Sequence, residues 1–459
     1  MIEAEFQLSD FAQRRRLLLD AMRPGSMAVI PGAREQRRNR DVNYPFRQNS
    51  DFYYLTGFCE PDALLALIPG REFGECILFC RERDPVLERQ DGPIVGPDAC
   101  CDALGMDDGF PISDVDDILP GMLEGRSQIY LSMGEHRQWD IRVLAFLKEL
   151  GQQKSSDHTV TGGVVDLGHL LHEQRLIKSA REQQIMSRAA QISVTAQQLA
   201  IEHIGPEANE GDVEAELLYS FRRQGAKYEA YPTIVASGEN ACTFHYAANS
   251  SSLLPGDLVL IDAGCEYQYY ASDVTRTYPV SGRFSQYQRQ LYDIVLAANK
   301  AAIDACRLGA SFIEPHQAAT QVLVEGLVDL GVLHGDASDL IADESHTRFC
   351  PHHTSHWLGL DVHDVGDYRL ADTWRDLLPG MVLTVEPGIY IPRDETTLDV
   401  PEEYRGIGIR IEDTVLIESE SCRVLSGELV KDADEIEALM AGRPKALLST
   451  VKGRVAEYG

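Results

Sequence analysis

Long apolar stretches are absent from the sequence. No run approaches the roughly 18 apolar residues that a membrane-spanning helix needs, and the first twenty residues, MIEAEFQLSDFAQRRRLLLD, lack the apolar segment of a secretory signal. Basic residues are also scarce: 42 Lys plus Arg stand against 72 Asp plus Glu, which leaves a net charge of −30. Because such a surface repels phosphate, we expect neither a nucleic-acid partner nor a membrane partner.

Two kinds of short motif are missing as well. The ten Cys residues form no CxxC pair and no regular framework, which favours reduced thiols and a cytoplasmic protein. No HExxH segment occurs, so the helical zinc site of that motif is excluded. The 44% apolar and 25% charged residues are typical of a soluble globular enzyme, and 459 residues favour two domains.

The first third of the chain alternates short apolar runs with helical patterns, which predicts a mixed α/β domain. A helix is predicted over 137–150. The polar segment 151–163 is predicted to be a loop, and a junction near 175 gives domains 1–175 and 176–459. The predicted strands are MAVIPG (27–32), ALLALIPG (63–70), CILFCRE (76–82) and QIYLSMG (128–134).

The remainder of the chain predicts an α+β domain, because long amphipathic helices alternate with β-rich stretches. The first helix begins after Ser179, and Pro315 must lie in the first turn of the fourth. The second to fourth helices are predicted over 212–224, 285–308 and about 311–330, and the β-rich stretches at 230–280, 381–392 and 405–417.

An internal repeat links the two halves of this second domain. LPGDLVLIDAG (254–264) and LPGMVLTVEPG (378–388) align without gaps, and Asp262 falls in the same register as Glu386. Pro-Gly before a strand is common, but the shared acid makes duplication the better explanation. A duplicated domain with one carboxylate in each half predicts a site on its pseudo-two-fold axis.

Asp262 and Asp273 form the first group of candidate site residues. Asp262 ends an apolar strand, where a charge is costly unless something binds it. The Tyr-rich segment after it can fold back as a hairpin, which would put Asp273 roughly opposite Asp262 on one face. Taken alone, the pair is equally well explained as two solvated turn residues.

The second group is a cluster of histidines. A single His is more often a satisfied core residue, whereas five this close favour a metal or catalytic pocket in which not all five are ligands. The surrounding segment SHWLGLDVHD is predicted to be loop and extended chain. The five, out of 13 in the chain, are His346, His352, His353, His356 and His363.

The third group lies in GIGIRIED (406–413). Its Ile residues alternate with Gly408, Arg410 and Glu412, so a strand there directs Arg410 and Glu412 to the same side. A half-exposed strand with a surface ion pair is the alternative for this segment by itself.

Four carboxylates, from Asp262, Asp273, Glu386 and Glu412, would repel one another in a single pocket and take up protons. Two divalent cations cancel their charge, which favours a dinuclear site. Oxygen-rich ligation with one imidazole suits Mn²⁺ and, less distinctively, Co²⁺, Fe²⁺ or Zn²⁺. Such a pair can lower the pKa of a bridging water toward about 7 and present it as hydroxide. Metal-assisted hydrolysis is therefore the predicted reaction class.

Several of these segments resemble the signature segments of Xaa-Pro aminopeptidase, also called aminopeptidase P, a pita-bread metallopeptidase. YPFRQNSDFYYLTGF (44–58) is similar to the creatinase-like first domain of that family. The resemblance implies a creatinase-like α/β domain followed by an α+β pita-bread catalytic domain. The signature segments are YPTIVASGENACTFHY (231–246), VLIDAG with SDVTRTYPV (259–280), SHWLGLDVHDVG (355–366), TVEPGIYI (384–391) and RGIGIRIED (405–413).

The resemblance also implies a set of metal ligands for two divalent ions, most simply Mn²⁺. Asp262 is implied to chelate one ion, and Asp273 and Glu412 to bridge both. His356 and Glu386 are implied to complete the other ion, and Glu386 is in addition a candidate for proton transfer from the bridging water.

Further roles follow from the same resemblance. His245, His352 and His363 match positions that line the substrate pocket, and Arg410 matches a residue that orients groups and balances charge. Asp41 lies in a stretch that in related enzymes approaches a neighbouring active site of the oligomer. The sequence departs from the family at His353, where a Gly is expected, and at 84–92, which lacks an expected aromatic residue.

The implied activity is release of the residue that precedes proline at a peptide's N-terminus, by a homo-oligomer, dimer or tetramer. Prolidase, which cuts Xaa-Pro dipeptides, is the nearest alternative, and the segment at 44–58 favours aminopeptidase P over it. Methionine aminopeptidase is disfavoured by the long first domain. A catalytically inactive pita-bread binding protein and the metal-free creatinase are both disfavoured because all five implied ligands are present.

Overall fold

The computed structural model describes residues 6–152, 163–394 and 399–442. The chain divides into two compact units, Met1–Arg175 and Leu176–Gly459. The loop predicted at 151–163 falls largely outside the described residues. Within the described residues, no helix has both the length and the apolar composition needed to cross a bilayer.

The first unit is built on a mixed six-stranded sheet. Its strands are β1 Ser26–Pro31, β2 Leu64–Leu67, β3 Cys76–Cys80, β4 Asp108–Pro111, β5 Gln128–Leu131 and β6 Val164–Asp166. They lie in the order β4-β3-β2-β1-β5-β6. β1 pairs antiparallel with β2 and parallel with β5, β2 pairs antiparallel with β3, and the two outer pairs are parallel.

The four strands predicted from apolar runs are confirmed as β1, β2, β3 and β5. Each is buried along its whole length, and the side chains on one face of the sheet belong to a core shared with the helices Val115–Leu123 and Arg137–Gln152. The edge strands β4 and β6 were not predicted, since β4 is the polar, Gly- and Pro-containing DGFP and β6 has three residues.

Seven helices accompany this sheet among the described residues. The predicted helix over 137–150 is confirmed as α6. The helices are α1 Leu8–Ala21, α2 Ser50–Thr56, α3 Pro85–Asp91, α4 Pro97–Leu104, α5 Val115–Leu123, α6 Arg137–Gln152 and α7 Gly168–Leu176.

A buried ion pair connects α2 with α7. Asp51 Oδ1 lies 2.6 Å from Arg175 Nη1, and Asp51 Oδ2 lies 3.3 Å from His172 Nε2. Burial by itself favours the neutral acid, but the hydrogen bond from His172 and the charge of Arg175 outweigh it and lower the pKa of Asp51 to about 2.

This lowered pKa predicts how acid destabilises the first unit. The charged Asp51 stabilises the fold above its unfolded pKa near 3.9, and the contribution of about 2 kcal/mol is lost as the pH falls from about 4 to 2. Replacement by Asn removes the contribution already at neutral pH. We therefore expect the difference in unfolding free energy between the native chain and Asp51→Asn to shrink across that window.

Hydrogen–deuterium exchange of peptides from the first unit, followed against pH, measures that difference. The matched control is Asp117→Asn, an exposed residue of α5, which should leave the pH profile unchanged. A difference between Asp51→Asn and the native chain that stays constant from pH 5 to pH 2 would contradict the ion pair.

The second unit contains the long predicted helices. Each of three begins at a capping box: Ser179 with Glu182, Asn209 with Asp212, and Ser285 with Gln288. Pro315 lies in the first turn of the fourth, as predicted. The helices are α8 Ala180–Ala200, α9 Glu210–Arg223, α10 Gln286–Ala305, α11 Glu314–Asp329, α12 Ala337–Ala342 and α13 Ala433–Ala441.

Short antiparallel sheets lie between these helices. Three of them have three strands, in the orders β11-β10-β7, β12-β9-β8 and β15-β18-β19, and two have two strands, β13-β14 and β16-β17. The strands are β7 Tyr228–Glu229, β8 Ile234–Ser237, β9 Leu258–Asp262, β10 Cys265–Tyr267, β11 Tyr270–Ala271, β12 Thr275–Pro279, β13 Arg369–Leu370, β14 Thr373–Trp374, β15 Val382–Val385, β16 Gly388–Ile391, β17 Ile407–Arg410, β18 Asp413–Ile417 and β19 Cys422–Val424.

The two copies of the sequence repeat form β9 and β15. Each strand pairs antiparallel with a later one, β9 with β12 and β15 with β18, and each has its acid at or just after its end. The halves are not identical. β9 also pairs with β8, whereas the corresponding side of β15 carries an isolated bridge between Trp357 and Leu383.

Candidate metal centre and active-site cavity

Asp262 and Asp273 lie on one face of a hairpin, although their register differs from the predicted one. Asp262 pairs with Thr275, so Asp273, two residues earlier, is a diagonal neighbour rather than the directly opposite residue. The intervening chain forms a second hairpin, β10–β11. At Gly264 a Cβ atom would lie 1.7 Å from the carbonyl oxygen of Ser272, so the chains can approach this closely only at a glycine.

The β-rich stretch predicted over 405–417 contains two strands, β17 and β18. β17 pairs with β16 and β18 pairs with β15, and the chain changes sheets at Ile411 and Glu412. The amide of Glu412 donates instead to Thr275 O at 3.0 Å. Both Arg410 and Glu412 still line the same cavity, as their alternation predicted. Arg410 is the last residue of the first strand, and Glu412 immediately precedes the second.

The ring of His356 is held so that one nitrogen remains open. Its Nδ1 lies 3.0 Å from the carbonyl oxygen of Trp357, which fixes the proton on Nδ1 and leaves the lone pair on Nε2. Nε2 lies 3.3 Å from Glu386 Oε1 and 3.6 Å from Asp273 Oδ2. Burial lowers the pKa of His356 to about 4, so the imidazole is neutral and able to act as a ligand.

All the candidate residues of the second unit that were assigned a metal or pocket role line one cavity of about 560 Å³. Its floor is formed by buried carboxylates, and its mouth by exposed His245, His353 and His363. His346 instead lines a neighbouring cavity, and Asp41 belongs to the first unit. The assigned residues are Asp262, Asp273, His356, Glu386 and Glu412 together with His245, His352, His363 and Arg410.

The floor carries more negative charge than the protein neutralises. Burial, followed by repulsion from neighbouring carboxylates, raises the pKa of Asp273, Glu386 and Glu412 above the usual range. Among the described lining residues Arg410 is the one Lys or Arg, and it contacts Asp262.

Ligand atoms of Asp273, His356 and Glu412 lie within 4.8 Å of one another. Carboxylate oxygens and one imidazole lone pair are the ligands of a divalent metal centre, and the positive charge of such an ion would offset the excess negative charge of the floor. The residues present therefore fit the metal ions that the sequence predicted.

Three residues of the site escaped sequence reasoning. The hydroxyl of Tyr231 lies 2.6 Å from Asp262 Oδ1 and 2.5 Å from Asp273 Oδ1. Thr275 Oγ1 donates to Glu412 Oε2 at 2.7 Å. All three, including Tyr390, lie inside the quoted signature segments, but an uncharged side chain in such a segment gives no signal of its own.

Tyr390 connects Arg410 with His352. Arg410 Nη1 donates to the Tyr390 hydroxyl at 2.8 Å, and that hydroxyl lies 2.8 Å from His352 Nε2. His352 Nδ1 in turn lies 2.9 Å from the carbonyl oxygen of His353. Both ring nitrogens of His352 are thus occupied, so the ring is fixed in one orientation beside the carboxylates.

A buried glutamate holds the segment that carries His245. Glu210, at the start of α9, is fully buried. It accepts from the backbone amides of Ser237 and Ser251 at 2.8 Å each, and from the side chains of Ser237, Asn240 and Tyr246 at 2.8–2.9 Å. Five donors converging on one carboxylate fix the loop between β8 and β9.

We expect Glu210→Gln to weaken substrate binding more than catalysis. A Gln side chain has an NH₂ group in place of one carboxylate oxygen, so some of the five donors lose their acceptor. This loss costs about 1–3 kcal/mol of stability. The loop that is loosened carries His245 and Phe244, which lie at the mouth of the cavity. KM for a peptide substrate should rise several-fold while kcat changes little. Glu207→Gln, exposed three residues earlier, is the control, and an unchanged KM in Glu210→Gln would contradict the anchoring role.

Two family models match the chain. Metallopeptidase family M24 matches residues 184–419, and the aminopeptidase P N-terminal domain matches residues 11–130. The chain therefore belongs to metallopeptidase family M24, with the aminopeptidase P type of first domain and the pita-bread fold in its second. It is an enzyme of the hydrolase class.

Proteins that are similar to this chain over nearly its whole length include Xaa-Pro aminopeptidases and solved aminopeptidase structures. Xaa-Pro aminopeptidase of Escherichia coli is 44% identical over 96% of this chain and 100% of its own length, and that of Haemophilus influenzae is 40% identical over 95% and 98%. The structure of an aminopeptidase from Pseudomonas aeruginosa superposes with a TM-score of 0.93 at 49% identity, over 95% of this chain and 99% of that one. Aminopeptidase P of E. coli with the inhibitor Pro-Leu gives a TM-score of 0.91 at 44% identity, over 95% and 99%.

Proposed function

We propose that this chain releases the N-terminal residue from peptides whose second residue is proline, with a pair of divalent metal ions held at the floor of the cavity. The supporting observation is the convergence of four carboxylates and one open imidazole in one cavity, with one of the carboxylates, Asp262 or Glu386, coming from each sequence repeat. Its relatives of similar length are Xaa-Pro aminopeptidases, and the segments that resemble that family supply every one of these residues.

The residues divide into metal ligands and groups that hold the peptide. Asp262, Asp273, His356, Glu386 and Glu412 hold the ions. When bound, two such ions would offset the negative charge of the floor and would supply the Lewis acidity that lowers the pKa of an attacking water. The donor set, oxygen-rich with one imidazole, suits Mn²⁺.

The remaining groups orient the peptide and move its proton. His245, His352 and His363 line the pocket around the scissile peptide, and Arg410, which donates to Asp262, orients that carboxylate and balances part of the charge of the floor. Glu386 transfers a proton from the attacking water to the proline nitrogen, which must be protonated to leave.

The preference for proline follows from the amide and from the walls of the cavity. The proline nitrogen of an Xaa-Pro bond has no hydrogen to donate, so a site that makes no hydrogen bond to that nitrogen loses nothing by binding proline. Phe244, Phe312, Tyr368 and Trp374 give the cavity an aromatic wall. Phe244 packs edge-on against Tyr390 with ring centroids 4.7 Å apart, which offers a flat surface for a pyrrolidine ring.

Hydrolysis of matched peptides tests the proposal. Ala-Pro-Ala should be cleaved to Ala and Pro-Ala in the presence of Mn²⁺, and Ala-Ala-Ala much more slowly. A chelator should abolish both reactions, and added Mn²⁺ should restore them. Equal rates for the two peptides would exclude proline selectivity. Cleavage of the dipeptide Ala-Pro in strong preference to Ala-Pro-Ala would favour a prolidase.

We also propose that residues 1–175 form the creatinase-like domain and residues 176–459 the catalytic domain. The enzyme is proposed to be cytoplasmic, since all ten Cys are free thiols, and to form a dimer or tetramer. Light scattering of the purified protein measures the oligomeric state, and a monomer would contradict that part of the proposal.

A further inference from the structure

Lys178 is a buried lysine that lies outside the active-site cavity. Its Nζ is 2.9 Å from Asp364 Oδ2, and each of the two side chains is only 1% exposed. Both residues belong to the second unit, and neither lines the cavity. Apolar residues in place of such a buried pair are often as stable or more so. Stability alone therefore gives no reason for a charge pair here, whereas a charge-assisted hydrogen bond fixes the relative position of its two partners.

The main chain of Lys178 is held on both sides. Its amide donates to the carbonyl oxygen of Gly380 at 2.9 Å, and its carbonyl oxygen accepts from Gln183 Nε2 at 2.7 Å. Gly380 precedes β15, and Gln183 lies near the start of α8. The ammonium group of Lys178 thus extends from a segment that is anchored to two elements of the second unit.

Asp364 belongs to a loop that also carries His363. Residues 358–368 form neither helix nor strand, so regular backbone pairing does not determine where this loop lies. At Gly359 a Cβ atom would be 2.0 Å from Asp364 Oδ2 and 3.0 Å from Lys178 Cε. The loop therefore closes directly over the ion pair, and only a glycine allows so close an approach.

One carbonyl oxygen connects Asp364 with the open imidazole of the site. The amide of Asp364 donates to Trp357 O at 2.9 Å, and the same oxygen lies 3.0 Å from His356 Nδ1. The ring of His363 packs edge-on against that of His356, with centroids 4.4 Å apart. The position of Asp364 therefore bears on both histidines, and most directly on the acceptor that holds the proton of His356.

We propose that Lys178 is a positioning residue that acts through Asp364. Because Asp364 fixes Trp357 O, the pair keeps the proton of His356 on Nδ1 and leaves Nε2 open toward the carboxylate floor. The inference rests on the proposed function and deepens it, since it names a residue outside the cavity on which the geometry of a metal ligand depends. Loss of a group that orients a histidine ligand typically lowers metal affinity or activity by about 10–100-fold. Lys178 acts one step further out, so we expect the lower end of that range.

The test removes both charges at similar volume, in Lys178→Met/Asp364→Asn, so that no buried charge loses its partner. Calorimetric titration of the metal-free protein should show Mn²⁺ bound about tenfold more weakly than by the native chain, with a Tm close to the native value. ¹⁵N NMR of the histidine rings in the same metal-free protein reports the tautomer. His356 should give one protonated and one bare nitrogen in the native chain and a mixture of both tautomers in the variant.

Two further variants complete the comparison. Asp364→Asn alone keeps an acceptor for Lys178, and should show the same two changes to a smaller extent. Arg307→Met/Glu314→Gln removes an ion pair of the same unit whose side chains are 64% and 38% exposed. This control should keep the native Mn²⁺ affinity and a single tautomer of His356.

Neither readout needs a peptide, so the outcomes distinguish this inference from the proposed function. A lowered Tm with native Mn²⁺ affinity and an unchanged tautomer in both Asp364 variants would show that the pair only stabilises the fold, and would overturn the positioning role while the proposed function stands. If the native chain cleaves no Xaa-Pro peptide but both readouts change as expected, the positioning role is supported and the proposed activity is wrong.

Discussion

Glu412→Gln should lose at least about a thousandfold in kcat/KM for an Xaa-Pro peptide. Glu412 lies where the chain changes sheets, 2% exposed, with Thr275 donating to one carboxylate oxygen. Gln keeps the shape but removes one negative charge and one ligand oxygen from the floor. Because a bound cation supplies several kcal/mol of stabilisation to the reaction, and about 4 kcal/mol corresponds to a thousandfold, the loss should be of this order.

Metal content distinguishes this explanation from a folding defect. Elemental analysis should find fewer bound divalent ions in Glu412→Gln than in the native enzyme, at unchanged circular dichroism. Glu418→Gln is the matched control. Glu412 immediately precedes β18 and Glu418 immediately follows it, but Glu418 is 43% exposed and pairs with Arg423 at the surface. Native activity with native metal content in Glu412→Gln would remove Glu412 from the metal centre.

The sequence predicted which residues share the cavity better than it predicted the backbone that carries them. An acid at the end of an apolar strand is, taken alone, equally well explained as a solvated turn residue, and it was the repeat, with Asp262 in register with Glu386, that indicated a shared site. The arrangement of the chain around them depends on contacts distant in sequence. Asp262 faces Thr275 because a second hairpin and the close approach at Gly264 consume the intervening residues, and no local pattern encodes that.

The histidine cluster shows the same limit. Proximity in sequence indicated a pocket, and four of the five histidines, His352, His353, His356 and His363, do line it. His346 lies in a 3₁₀ turn, and its ring donates a hydrogen bond to the carbonyl oxygen of Leu340. Its side chain therefore lines the neighbouring cavity instead. A segment without helical or strand periodicity does not reveal which of its side chains share a direction.

The carboxylate floor is supported from below by a buried charge network. Asp413, the residue after Glu412, is fully buried. Its Oδ1 lies 2.8 Å from Arg276 Nη2 and its Oδ2 lies 2.6 Å from Lys431 Nζ. Arg276 also donates to the carbonyl oxygen of Glu412. One carboxylate thus pairs with two cations and joins β12 to β18 at the point where the halves of the unit meet.

Asp413→Asn should therefore destabilise the second unit by about 3–5 kcal/mol, because it leaves Arg276 buried without its counter-charge. That corresponds to a fall in Tm of roughly 5–15 °C. Asp434→Asn removes an exposed partner of Arg289 and should change stability by no more than about 0.5 kcal/mol. Lys431→Met, which removes the less buried cation of the pair, should fall between the two.

Urea unfolding of the metal-free proteins measures these differences without a contribution from bound ions. The order expected is native, Asp434→Asn, Lys431→Met and Asp413→Asn, from most to least stable. If Asp413→Asn and Asp434→Asn unfold at the same urea concentration, the buried pair contributes no more than a surface one. The position of Glu412 would then have to be maintained by the hydrogen bonds of Thr275 and by strand pairing.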